Sequence, residues 1–225
     1  GYQAMEGSVA DNPGHGENVA VGYNAAQGLT SATNVVAIGA LALGGDTCTG
    51  DSSVAIGYNA GNAMTSGNNN VLMGTNAGKL ISTANKTIFI GTNAGDAVTT
   101  TGGSNVSDGT VGIGYDALTA LTSGYSNTAV GHQALKLLTT GINNAVFGFN
   151  AFDAADGTES NNVAIGAYAM TAIDEGSGDC DANVCIGMQA GMGGATGSFS
   201  NNVAIGYAAF DGTGTESVDD VVAIG

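Results

Sequence analysis

Cys180 and Cys185 stand five residues apart, and Cys48 is the third cysteine of the chain. Oxidised outside a cell, Cys180 and Cys185 could close a small local disulfide. Kept reduced, Cys185 reads as a small buried hydrophobe. A zinc site built from three such dispersed thiols is the weaker reading. The two histidines, His15 and His132, have no cysteine or second histidine in phase with them. That leaves neither a metal pair nor a nucleophile–histidine–carboxylate constellation. There is no Gly-x-Ser-x-Gly elbow and no phosphate loop ending in Gly-Lys-Ser/Thr. Gly-x-Gly matches carry no information in a chain with 39 glycines. No catalytic residue is assigned, and no enzyme and no cofactor are expected.

Carboxylates gather where the chain is irregular: Asp153, Asp156 and Glu159; Asp174, Glu175, Asp179 and Asp181; Glu216, Asp219 and Asp220. Calcium is the hard cation such oxygens suit, with Asp174, Glu175, Asp179 and Asp181 the candidate ligands. Neither the EF-hand spacing nor the Gly-Gly-x-Gly-x-Asp nonapeptide occurs, so a solvated face that keeps the protein soluble is the simpler account. With 3 Lys+Arg against 19 Asp+Glu, the formal charge of −16 excludes binding to nucleic-acid phosphates or to an anionic membrane. Asn85-Lys86-Thr87 and Asn105-Val106-Ser107 are acceptor sequons for glycosylation at Asn85 and Asn105. Tyr23, Tyr58, Tyr115 and Tyr207 share one column and could present rings to a glycan. Ala40, Thr75, Thr92, Ala167 and Met188 interrupt that column.

The element that positions all of these is a repeat. The tetrad Val-Ala-Ile-Gly and its variants end at Gly22, Gly39, Gly57, Gly74, Gly91, Gly114, Gly131, Gly148, Gly166, Gly187, Gly206 and Gly225. Five of the twelve spacings, counted from Gly1, are 17 residues and the others are longer by one to six. The basic unit is therefore 17 residues, with insertions. Three residues after each anchor glycine stands an alanine in every copy that reaches it, Ala60, Ala77 and Ala94 among them. Two after it stands an amide or Asp in most copies, as at Asn59, Asn76 and Asn93. Such phasing does not arise from composition; it marks one supersecondary unit, copied.

Gly, Asn and Thr are poor helix formers, and the tetrad has β-branched residues at period two. Each unit reads as a short strand, a tight turn at the Tyr-Asn pair, a second extended piece from the alanine, and a further turn. Units of this kind stack as a parallel β-solenoid or β-roll, an all-β fold of about twelve coils spanning residues 1–225 as one array. At about 4.8 Å per strand, the rod would measure roughly 55–60 Å. Stacked amides at Asn59, Asn76 and Asn93 can bond along the axis as ladders. Within the tetrad, Val and Ile are expected to enter the coil's own core. The middle row, from Ala20 and Ala37 to Ala204 and Ala223, would then face outward and be covered by further copies of the chain, most simply in a threefold bundle. The alternative is a flattened single roll whose alanine row faces the opposite wall.

Asn161–Gly166 and Asn201–Gly206, both Asn-Asn-Val-Ala-Ile-Gly, and Asn127–Leu135, Asn-Thr-Ala-Val-Gly-His-Gln-Ala-Leu, resemble head repeats of trimeric autotransporter adhesins. They are still more similar to related repeats of phage tail fibres and environmental surface fibres. The resemblance covers essentially the whole chain and implies a trimeric, left-handed parallel β-roll. It implies an extracellular, cell-surface or virion fibre with a structural role and the chain itself as partner. Both ends fall at the same repeat phase, so a window on a longer chain, or a unit stacking end to end, is expected. A glycan-binding module built on the Tyr and Asn columns is the alternative function.

Overall fold

The computed structural model describes residues 3–4, 17–45, 47–99, 107–171, 180–193, 198–212 and 217–225. Twelve three-residue strands, from Val19–Val21 to Val222–Ile224, form one parallel sheet in which each strand pairs with that of the next coil. The register never slips: Val163 aligns with Val184, Ala164 with Cys185 and Ile165 with Ile186. A two-stranded parallel pair, Phe199–Ser200 with Val218–Asp219, adds a second edge near one end. No helix occurs among the described residues. The fold is an all-β parallel solenoid.

Outside the main sheet the coil is mostly turn rather than a second strand, and positive φ explains why. Asn59, Asn76 and Asn93, two after the anchor glycine, have φ of 57°, 58° and 58°. Asn tolerates this left-handed region because its short amide bonds locally. Further left-handed residues follow at Gly61, Gly78, Gly95 and Leu118, and again at Asn69, Lys86 and Asn143. These bends break up the extended piece expected after the alanine.

The anchor glycines are dictated by contact as well as by φ. Gly57 has φ 136°, and a Cβ there would lie 2.5 Å from the carbonyl oxygen of Gly74 and 3.2 Å from its Cα. Gly74 meets Gly91 in the same way, and Gly91 meets the Gly114 carbonyl. Each coil thus rests backbone to backbone on the next. The alanines at Ala60, Ala77 and Ala94 are fully buried.

The core corrects the expected facing of the tetrad. Ala37, Ala55, Ala129, Ala164 and Ala204 point inward and are fully buried, while the flanking Val and Ile face outward. One inward position per strand is what that wall has room for, because larger side chains from the turns already fill much of the interior; it holds mostly Ala, with Leu72, Phe89 and Val146 as the larger exceptions. Volumes trade within a coil: Leu72 and Phe89 face Gly78 and Gly95, whereas Gly112 is opposed by Leu118. A Cβ on Gly95 would fall 2.6 Å from the Phe89 ring. Leu29, Met64, Ile81, Leu121 and Leu138 close the core from the far side.

Candidate functional site

Three lines of side chains run parallel to the solenoid axis, and each is a direct product of the repeat. The first is the outward face of the sheet. Its 24 positions, two per strand, are apolar at all but Thr128. Ile38 is 37% exposed, Phe147 41% and Ile165 39%. Parallel sheets are ordinarily covered on both faces. An apolar strip of twelve rungs, about 50 Å long at strand spacing, exceeds what an isolated soluble chain leaves open.

The second line lies at the corner immediately after the anchor glycines. Tyr23, Tyr58, Tyr115 and Tyr207 are exposed there. Tyr115 stacks on His132 with ring centroids 5.2 Å apart, and His132 on Phe149 at 5.0 Å. Phe149 meets Tyr168 edge-on at 5.4 Å. Among Tyr23, Tyr58, Tyr115 and Tyr207, only Tyr115 belongs to this run, which His132, Phe149 and Tyr168 extend. Interplanar angles of 19° and 16° mean that these rings cover one another's faces along the axis. The inner rings therefore offer edges to solvent.

The third line is internal. Asn127, Asn144, Asn162, Asn183 and Asn202, four before the anchor glycine, are buried and bonded in series. The Asn162 Oδ1 accepts from the Asn183 backbone N–H and from its Nδ2, both at 3.0 Å. The Asn162 Nδ2 donates to Asn144 Oδ1 at 3.1 Å and to the Cys180 carbonyl at 2.8 Å. The same pattern repeats at Asn144 and at Asn183. Sequence reasoning passed over this column. Its signal was the second Asn of each Asn-Asn-Val-Ala-Ile-Gly, whose place before an inward-facing residue could be read only once the facing was known.

The amide ladder expected at the turn also forms, over fewer rungs. Asn59 Nδ2 donates to Asn76 Oδ1 at 3.3 Å, Asn76 to Asn93 and Asn93 to Asp116, each at 3.1 Å. Asn85, the first sequon, sits in another ladder: its Oδ1 accepts the Asn68 N–H, and its own N–H donates to Asp108. Thr87 is fully buried and donates to Asn70 Oδ1 at 2.8 Å. Asn105 lies outside the described residues.

Cys180 and Cys185 do not form the expected disulfide; all three cysteines are buried thiols. The two belong to different columns of the coil. Cys180 accepts from Asn183 Nδ2 at 3.6 Å, whereas the Cys185 sulfur faces Gly191. Burial pushes the Cys185 thiol up to about 12. Of the calcium candidates, Asp174, Glu175 and Asp179 lie outside the described residues. The Asp181 carboxylate accepts the Ser160 N–H at 2.6 Å. No group of three metal-ligating side chains occurs among the described residues. Asp96 is raised, first by burial and then by the Asp116 carboxylate, against the pull of Lys79. Asp153 is raised by burial.

No family model, no curated protein and no solved structure matches the chain.

Proposed function

We propose that the chain is a structural segment of an extracellular or virion fibre, without catalysis, whose copies bundle side by side. The observation that carries this reading is the outward sheet face: 23 of 24 positions are apolar in a chain of formal charge −16. Charge is kept off the one surface where a like-charged neighbour would have to approach. Unbroken register along twelve strands supplies a continuous strip that an identical strip matches rung for rung, most simply three copies about one axis. The amide ladders and glycine stacking stiffen each copy against bending, which a shaft needs.

The test is the assembly mass. Light scattering should report an oligomer for the parent and a monomer for Ile165→Glu with Ile186→Glu, because unpaired carboxylates in a closed apolar interface are costly. A monomeric parent refutes the reading.

A second reading, glycan contact at the exposed tyrosines, is supported by the half-open rings of Tyr58 and Tyr115. Saturable binding on a glycan array that is lost in Tyr58→Ala with Tyr115→Ala would favour it.

A further inference from the structure

The outward face has a property that side-by-side packing must contend with. Ten of its twelve rungs present Val or Ile at the first position, so sliding one copy past another by a coil changes few contacts. Register along such a face is weakly specified unless some rung differs from its neighbours. One rung does. In the strand Ala145–Phe147 the outward pair is Ala145 and Phe147. This rung combines the smallest first residue of all twelve with the largest second residue. Ala145 is a dent, bounded along the axis by Thr128 and Val163 of the adjoining strands. Phe147 is a bump between Val130 and Ile165, and it remains 41% exposed. Its ring is thus not accommodated within its own chain.

Symmetry says where the bump goes. Any rotation axis parallel to the coil stack brings the second outward column of one copy against the first column of the next, at equal height. Bump and dent of the same rung then meet, and only when the copies run in the same direction without slip. A slip of one coil in either direction sets the phenyl ring on Thr128 or Val163, both larger than alanine, and overpacks the interface. Resting on the self-association proposed above, we infer that Phe147 and Ala145 form a register key: each copy seats Phe147 over its neighbour's Ala145. The key locks the bundle co-directional and level. It holds for two copies or three, since both symmetries pair the same columns.

Cross-linking between copies tests this directly. A chain carrying Ala145→Cys is co-assembled with a tagged chain carrying Phe147→Cys and oxidised mildly; the natural cysteines are buried. The expected result is a heterodimer band at least tenfold stronger than from Ala145→Cys co-assembled with Ile165→Cys or Val130→Cys, which report a slip of one coil. A stronger band from either offset pair, or no band from any pair in an assembly of parental mass, overturns the register key while leaving self-association intact. A parent that is monomeric by light scattering overturns both. Should Phe147→Cys fail to assemble, the exchange Ala145→Phe with Phe147→Ala decides the matter. It should assemble at parental mass, whereas Ala145→Phe alone, setting bump against bump, should not. Equal behaviour of those two variants refutes the key.

Discussion

Removing one amide from the buried ladder is the sharpest test of what holds the coils together. In Asn162→Ala the backbone N–H of Asn183 loses its acceptor and the Cys180 carbonyl loses its donor. Asn144 Oδ1 keeps the Asn162 backbone N–H at 3.0 Å, and Asn183 Nδ2 keeps the Phe199 carbonyl at 2.6 Å, so those groups stay partnered. The orphaned Asn183 N–H at about 1–3 kcal/mol and the lost bond to the Cys180 carbonyl at about 1 kcal/mol set the main cost. The void left by the amide adds to it, for a sum of roughly 3–5 kcal/mol. For a chain of this size that corresponds to a fall in Tm of the order of 10 °C. The assay is thermal unfolding followed by far-UV circular dichroism, at one protein concentration, since bundling would stabilise by mass action. Thr92→Ala, at an exposed corner position, is the control and should move stability by no more than about 0.5 kcal/mol. If Asn162→Ala melts within a degree or two of that control, the ladder contributes little, and the coils are held by apolar packing and the strand bonds alone.

One further substitution and one thiol-reactivity measurement probe separate features. Gly57→Ala should abolish folding or lower Tm by more than Asn162→Ala does, because its Cβ meets the Gly74 backbone, which cannot rotate away; a soluble variant with parental melting would show the coils to be less closely seated. The thiol of Cys185 should resist alkylation in the native protein up to strongly alkaline pH, and mass spectrometry should find Cys180 and Cys185 unlinked under oxidising conditions. The sign for stability follows: the unfolded thiol ionises from about pH 9 while the folded one holds its proton to about 12, so its contribution falls as pH rises above 9. Rapid modification of Cys185 at pH 8 would contradict its burial.

The periodicity of Gly, Ala and Asn determined the architecture from the sequence alone. Twelve anchor glycines in phase demand one backbone conformation repeated, and a 17-residue unit with a β-branched tetrad has few ways to close except as a parallel coil. The turn at Asn59, Asn76 and Asn93 was legible for the same local reason, since Asn is what a left-handed bend selects. The facing of the strand was not legible, because Val-Ala-Ile is apolar at every position. Alternation of polar and apolar residues, which ordinarily marks the inner side, is missing. Tertiary volume decided it. Leu118, Leu135 and Phe152 reach across the interior from the turn, and the room that remains on the sheet wall admits a single Gly112, Ala129 or Val146 but not a Val-Ile pair. The larger residues were turned outward, and with them went the buried Asn column, the apolar strip and the Phe147–Ala145 rung. Each depends on which way one three-residue strand faces, and that choice belongs to packing between residues distant along the coil.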